Sequence, residues 1–375
     1  MPRYKFSDFA YNITDKKMPE PGDERTYIGL EHLDSGSLAV TRWGSEIELK
    51  GQKLIMKKGD ILFGRRNTYL RRAAIAPHDG IFSAHGMIFR PKKEVIDPDY
   101  FPFFIASDYF MNAAIRISVG SLSPTVNWKT LKELEFDIPT LERQRECAKV
   151  LKAANELKES YQALLLKTDD LVKSQFIEMF GELSQNTKNY PVKKLSDIAD
   201  YWNGLTYKPS DAVEDGAGTL VLRSSNIQNG ELAFDDNVFV NCTIKEKLFV
   251  QDNDILMCSR NGSAALVGKT ALIKDLKEPT TFGAFMMIIR SRYYPYLKTY
   301  LELPYFRNQI STGTSTINQI TGKMLNDIQL PVPDMDAVSK FEVFVQQSDK
   351  SKLELKQAIE GVNLLIKSMI QLELN

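Results

Sequence analysis

One plan is written twice along this chain, so any fold it adopts has to be built twice. Lys5-Phe-Ser-Asp-Phe-Ala10 returns as Lys194-Leu-Ser-Asp-Ile-Ala199, and a strand-then-turn pattern ending at Gly36 returns at Gly230. Asp60-Ile-Leu-Phe-Gly-Arg-Arg-Asn67 returns as Asp254-Ile-Leu-Met-Cys-Ser-Arg-Asn261, with the aspartate, both aliphatics, the arginine and the asparagine in register. Phe82, Ala84, Met87, Ile88 and Arg90 return as Phe282, Ala284, Met287, Ile288 and Arg290 at the same internal spacing. Lys129, Leu131, Leu134, Phe136, Ile138 and Pro139 return as Lys323, Leu325, Ile328, Leu330, Val332 and Pro333.

Within each copy, short apolar runs such as Ile61-Leu62-Phe63 and residues 285–289 are bounded by Gly, Asn and Asp, as strands are. Leu134, Phe136 and Ile138 alternate with charged residues, a period-two strand that feeds a long helical stretch. The expected class is α+β, with target lobes at 1–138 and 185–332, each followed by a helical region, 139–184 and 333–375. The polar run 184–189 is the joint.

The first helical region starts at Pro139-Thr140, where Thr140 can cap free amides, and stops at Gly181, which suits the left-handed turn after a helix. Between them Val150, Ala154, Leu157, Tyr161, Leu164, Thr168 and Leu171 recur at three- and four-residue steps, the spacing of a seam that needs a facing helix. After Pro333-Asp334, Val345, Leu355, Ile359, Val362, Ile366 and Met369 follow the same kind of spacing. The two are expected to pair as an antiparallel coiled coil, with pseudo-two-fold symmetry between the lobes. At roughly 1.5 Å per residue each helix would be on the order of 60 Å long, a spacer suited to a duplex with two half-sites about 34 to 36 Å apart.

Composition restrains the functional reading. Lys+Arg and Asp+Glu both total 48 in 375 residues, so a claim of nucleic-acid binding has to rest on local clusters. Cys147, Cys242 and Cys258, odd in number and irregular in spacing, read as free thiols of a reducing compartment. No apolar run of signal-peptide or membrane-spanning length occurs, and a cytoplasmic location is expected.

The densest cationic cluster is Arg65-Arg66-Asn67-Thr68-Tyr69-Leu70-Arg71-Arg72. Arginine pairs bidentately with guanine edges or phosphates and asparagine with adenine, so this composition suits base reading. The blander account is a solvated turn whose arginines neutralise Asp60 and other carboxylates. Recurrence of Arg66-Asn67 as Arg260-Asn261, with Lys269 nearby, favours the first account. The expected DNA-binding set is Arg65, Arg66, Asn67, Arg71, Arg72, Arg260, Asn261 and Lys269.

Other patterns carry less. Gly262 to Gly268 followed by Lys269-Thr270 imitates a phosphate loop but has five residues between its glycines instead of four. Asp34 with Glu48 and Lys50 could imitate the metal-binding carboxylates and lysine of a nuclease, yet the second copy has no equivalent and Glu48 sits in an alternating edge-strand run. Asp97-Pro98-Asp99-Tyr100 lacks the second proline of an amino-methyltransferase loop. His32, His78 and His85 have no ligand-like spacing, and Trp43, Trp128 and Trp202 read as core or rim aromatics. No metal site and no catalytic residue is expected.

The tandem plan resembles the specificity subunit of type I restriction–modification systems, in which two target-recognition domains are separated by helical regions that form an antiparallel coiled coil. The residues that carry the resemblance are Tyr27-Ile-Gly-Leu-Glu-His-Leu-Asp-Ser-Gly36, Gly59-Asp-Ile-Leu62, Gly120-Ser-Leu-Ser-Pro-Thr-Val-Asn-Trp-Lys129 and Phe136-Asp-Ile-Pro-Thr-Leu-Glu-Arg-Gln144. In the second copy they are Lys194-Leu-Ser-Asp-Ile-Ala-Asp-Tyr-Trp-Asn-Gly204 and Pro331-Val-Pro333. The second helix start, Asp334-Met-Asp-Ala-Val-Ser339, departs from the Leu141 to Gln144 pattern. The resemblance implies a non-catalytic subunit that binds double-stranded DNA, one half-site per lobe. It also implies two methyltransferase subunits that carry S-adenosylmethionine and, in restricting systems, motor-nuclease subunits. The rival readings are a self-sufficient endonuclease using Glu48 and Lys50, and a coiled-coil adaptor for proteins.

Overall fold

The computed structural model describes residues 1–214, 216–310 and 318–374. The chain divides into two compact units, Met1–Leu164 with Leu355–Asn375, and Leu165–Glu354. Each unit holds one mixed α+β lobe and one half of each long helix, Leu141–Phe180 and Met335–Leu374.

Each lobe is organised around a four-stranded antiparallel sheet of the same order. In the first unit the order is Ala10–Ile13, Met87–Pro91, Ile61–Phe63, Ala73–Ile75; in the second it is Asp200–Asn203, Met286–Arg290, Ile255–Cys258, Thr270–Leu272. Register is kept as well: Leu62 pairs with Ile88 and Leu256 with Ile288. The apolar runs are continuous because both faces of the sheet are covered. Ile61 and Phe63 point into one core with Phe89 and Phe110, while Leu62 points into another with Ile88 and Ala74. Ile255 and Met257, against Leu256 and Cys258, divide between two cores in the same way.

The recurring aspartate and arginine of the repeat meet inside this sheet. Asp60 accepts Nε and Nη2 of Arg90 at 2.5 and 2.9 Å and the Lys57 amide at 2.8 Å; Asp254 accepts Nε and Nη2 of Arg290, both at 2.7 Å, and the Gln251 amide at 2.8 Å. The turn before each aspartate needs a left-handed residue, supplied by Gly59 (φ 87°) and Asn253 (φ 71°). The sequence had offered Asp60 as a counter-charge for the arginine cluster; its partner is Arg90 instead.

A second sheet is where the lobes diverge. Both contain a parallel pair, Tyr27–Ile28 with Gly80–Phe82 and Thr219–Leu222 with Thr280–Phe282. In the first unit Lys53–Met56 and Lys16–Lys17 extend the sheet beyond Gly80–Phe82; in the second, Phe239–Val240 and Ala212–Val213 extend it beyond Thr219–Leu222. The lobes thus share the inner sheet and differ at its periphery.

The long helices start and stop where the sequence places them. Asp334 caps the Ala337 amide at 2.8 Å, and Gly181 (φ 76°) closes the first helix with its amide on Ile177 O. In the second unit Phe176 and Phe180 lie 5.5 and 5.3 Å from Phe341, and Asp169 pairs with Lys352, so the two segments run antiparallel. In the first unit Cys147, Ala148 and Leu151 share a core with Ile366, Met369 and Ile370.

The seam of the first helix is shifted by one residue from the expected one. Ala154, Tyr161 and Thr168 face inward, but Val150, Leu157, Leu164 and Leu171 are exposed, and their places are taken by Leu151, Lys158, Leu165 and Val172. Lys158 is the unexpected member. A lysine is a poor seam residue on sequence grounds, yet this one is only 7% exposed and donates to the Gly36 carbonyl at 2.7 Å. Its ammonium is satisfied by a loop far away in sequence, which sequence spacing does not register. On the second helix the expected positions hold: Val345, Leu355, Ile359, Val362, Ile366 and Met369 are all at least partly buried.

Candidate nucleic-acid interface

The arginine-rich loop of the first unit joins the strands Ile61–Phe63 and Ala73–Ile75 and is closed at its base by the Gly64 amide on Arg72 O, 2.9 Å. Asn67 (φ 54°) and Arg71 (φ 50°) are both left-handed and bracket a single tight turn, Thr68–Leu70, whose buried Thr68 hydroxyl donates to Arg65 O. A second segment, residues 119–125, is fastened to it: the Asn67 amide donates to Pro124 O at 2.7 Å and the Val126 amide to Arg65 O at 2.9 Å. The sequence reading gave this segment no part in the site. Its Leu122 and Val119 stand exposed beside the arginines.

The structure sorts the four arginines. Arg66 is exposed, with one contact to Ser123 Oγ at 3.2 Å, and Arg65 is partly exposed. Arg71 is engaged at the surface of its own lobe, donating to Asp108 at 2.7 Å and to Asn112 at 2.5 Å, while Arg72 donates to Leu30 O at 3.2 Å. Asp108 also lies 3.6 Å from Lys367. Arg71 and Arg72 were expected on one reading surface with Arg65 and Arg66; their guanidinium groups instead hold the loop against its own lobe. Asn67 Oδ1 is buried without a hydrogen-bond partner in the structure.

The second unit builds the same junction. Ile320 donates to Ser259 O at 2.7 Å, as Val126 does to Arg65 O, and the bridges Arg66 with Thr125 and Arg260 with Gln319 are equivalent. Arg260 is exposed and lies over the Phe285 ring, 5.4 Å from its centroid. Asn261 is turned inward, its side chain donating to Ser224 Oγ at 3.0 Å and accepting from the Ser263 amide. Lys269 is exposed just after Gly268 (φ 77°), whose amide bonds to Cys258 O; this is a strand-pair turn. The equivalently placed, solvent-facing cations are therefore Arg66 and Arg260.

The remaining motifs have local accounts. Asp34 is held by Arg42 through two hydrogen bonds of 2.9 and 2.7 Å, and the guanidinium keeps its carboxyl below the ordinary range. Glu48 and Lys50 lie in a stretch without regular strand, a departure from the expected edge strand. His32 accepts the Gly29 amide, Trp43 packs edge-on to His78, and Trp202 lies under Arg290. Among the described residues no three His, Cys, Asp or Glu side chains gather as metal ligands, and no helix is long and apolar enough to cross a membrane.

A family described as "Type I restriction modification DNA specificity domain" matches residues 13–165. The type I restriction enzyme EcoKI specificity subunit of Escherichia coli (strain K12) is 25% identical, over 78% of this chain and 68% of that protein. The MjaVIII specificity subunit of Methanocaldococcus jannaschii is 20% identical, over 98% of this chain and 92% of its own. This chain is similar to type I restriction–modification specificity subunits. The fold agrees. A chain from a structure of type I R-M complex assembly and conformational transition covers all of this one with a TM-score of 0.57 at 17% identity. The S subunit from M. genitalium covers 98% with a TM-score of 0.53 at 14% identity.

Within the family frame, the differing helix starts have a physical explanation. Gln144 is fully buried, and its amide ties the helix to the lobe, donating to Val95 O and Pro139 O and accepting from the Asp97 amide at 2.7 Å. At the equivalent position the second copy has Val338, buried in a core with Phe341 and Leu330. Apolar packing does there what hydrogen bonds do in the first.

Proposed function

We propose that this chain is the sequence-reading subunit of a type I restriction–modification complex and binds a bipartite DNA target, one half-site per lobe. The observation that carries the reading is the duplicated sheet, which places an exposed arginine, Arg66 and Arg260, at the same strand-end junction in both units beside different neighbours. Shared anchors with unlike surroundings are what two different half-sites require. The chain itself performs no chemistry in this reading. Methylation of adenines belongs to two partner methyltransferase subunits that bind S-adenosylmethionine, and cleavage to motor-nuclease subunits where the system has them. The assembly works in the cytoplasm. Partners that share the grip on phosphates account for a reader with 48 basic and 48 acidic residues.

The test is co-purification with the products of neighbouring genes, followed by mapping of methylated adenines across the host genome. A split motif with a fixed spacer is expected. A contiguous motif, or Mg²⁺-dependent cleavage of DNA by the purified chain alone, would overturn the reading in favour of an endonuclease. The helices are proposed to set the spacer. One extra heptad in each preserves the seam and adds roughly 10 Å, which should lengthen the preferred spacer by about three base pairs. An unchanged spacer removes that role.

A further inference from the structure

Phe285 reads in the sequence as the first residue of a buried strand, and the structure puts it elsewhere. The strand begins at Met286, and the Phe285 ring, just before it, is 60% exposed. Its backbone is nonetheless fixed. Phe285 O accepts the Ser259 amide at 2.9 Å, the Arg260 amide at 3.0 Å and the Ser259 hydroxyl at 2.9 Å. The ring is thereby pinned beside Arg260, whose guanidinium lies over it at 5.4 Å. In the first lobe the corresponding residue is His85, also exposed, and Arg66 turns to Ser123 instead.

A phenylalanine in this position adds little to the core and costs exposed apolar surface, so its contribution lies in what it does to its neighbour. An arginine laid across an aromatic face has fewer rotamers to lose when it pairs, while its N–H groups remain in the guanidinium plane, free to donate. Among the described residues no acceptor holds the Arg260 side chain. That geometry matches bidentate donation to the O6 and N7 acceptors of a guanine in the major groove.

We infer that Phe285 is a specificity-determining residue of the second lobe, a positioning residue that holds Arg260 for a guanine. The inference rests on the DNA-reading role proposed above and assigns a particular base class to one of its contacts.

The experiment uses the full chain assembled with its methyltransferase subunits and duplexes carrying the mapped target, each position of the second half-site being changed in turn. Arg260→Ala is expected to weaken binding about 5- to 150-fold on the intact target and to lose discrimination at one G·C pair. Phe285→Ala should cost about two- to five-fold at that same pair, the worth of a cation–π contact at an exposed site. Phe285→Tyr should restore the loss, Phe285→Leu should not, and the double variant should bind no worse than Arg260→Ala. Thermal melting of the Phe285 variants should match the parent. Wild-type binding by Phe285→Ala, rescue by leucine, or a loss equal on every sequence would overturn the inference while leaving the DNA role standing. If Arg260→Ala and Arg66→Ala both bind like the parent, the proposed reading surface itself is wrong.

Discussion

The buried Asp60–Arg90 pair and its twin, Asp254–Arg290, allow the same perturbation to be made twice in one chain. Asp60 is 3% exposed and Asp254 1%, whereas each arginine side chain keeps 32% of its surface in water. Removing one member of a buried pair costs roughly 3 to 5 kcal/mol, because the other is left uncompensated. With the orphaned arginine partly hydrated, the lower end applies, about 3 kcal/mol for Asp60→Ala or Asp254→Ala. Two units in one chain make global unfolding a poor reporter, so the assay is hydrogen exchange followed by peptide mass. Asp60→Ala should speed exchange about 100-fold in the strands Ile61–Phe63 and Met87–Pro91, with Ile255–Cys258 and Met286–Arg290 close to the parent. Asp254→Ala should do the reverse. Asp60→Ala with Arg90→Ala should cost at least about 1 kcal/mol less than the sum of the singles. Arg290→Ala should cost about 0.5 to 1 kcal/mol more than Arg90→Ala, since Arg290 also lies 5.0 Å from the Trp202 centroid. Additive singles, or changes under ten-fold in both lobes, would refute the account of the pair as the anchor of each sheet.

Three further outcomes follow from the same geometry. Gln144→Val gives the first helix the residue its twin has, but strands the Asp97 amide and the Val95 and Pro139 carbonyls; a loss of about 1 to 3 kcal/mol is expected, read as faster hydrogen exchange in the first turns of that helix, and no change would mean the amide is not holding the helix start. Burial lowers the Lys158 pKa below its ordinary 10.5, so the unfolded chain keeps the proton where the folded one has released it; stability relative to Lys158→Met should therefore rise with pH through the lowered value up to about 10.5, and a flat difference in paired pH titrations would contradict the inward placement. Arg66→Ala should weaken DNA binding and leave melting unchanged, whereas Arg72→Ala should lower the melting temperature by detaching the loop from Leu30; the opposite assignment in paired binding and melting measurements would reverse the division of the cluster.

Much of this fold could be read in advance where the cause is local. A proline followed by a capping residue fixes where each long helix starts, and Gly181 fixes where the first stops, because the φ angles involved are set by single residues. The duplicated strands were visible because Asp60, Leu62, Ile88 and Arg90 each need the same neighbours in both copies. What escaped depends on contacts between distant segments. Lys158 can take a seam position because a carbonyl at Gly36, 122 residues earlier, accepts its ammonium. The cluster at residues 65–72 splits because Asp108, Asn112 and the Leu30 carbonyl arrive from other elements. Phe285 lay in an apolar run whose first residue falls one place before the strand, an offset that alternation in the sequence cannot resolve.

The way the chain divides also dictates an order of completion. The second unit is continuous, residues 165 to 354, and has all its parts once that stretch has left the ribosome. The first lobe is translated earlier and finished later: Cys147, Ala148 and Leu151 wait for Ile366, Met369 and Ile370 to cover them. A nascent chain halted after Glu354 would therefore carry its older half unfinished and its younger half complete.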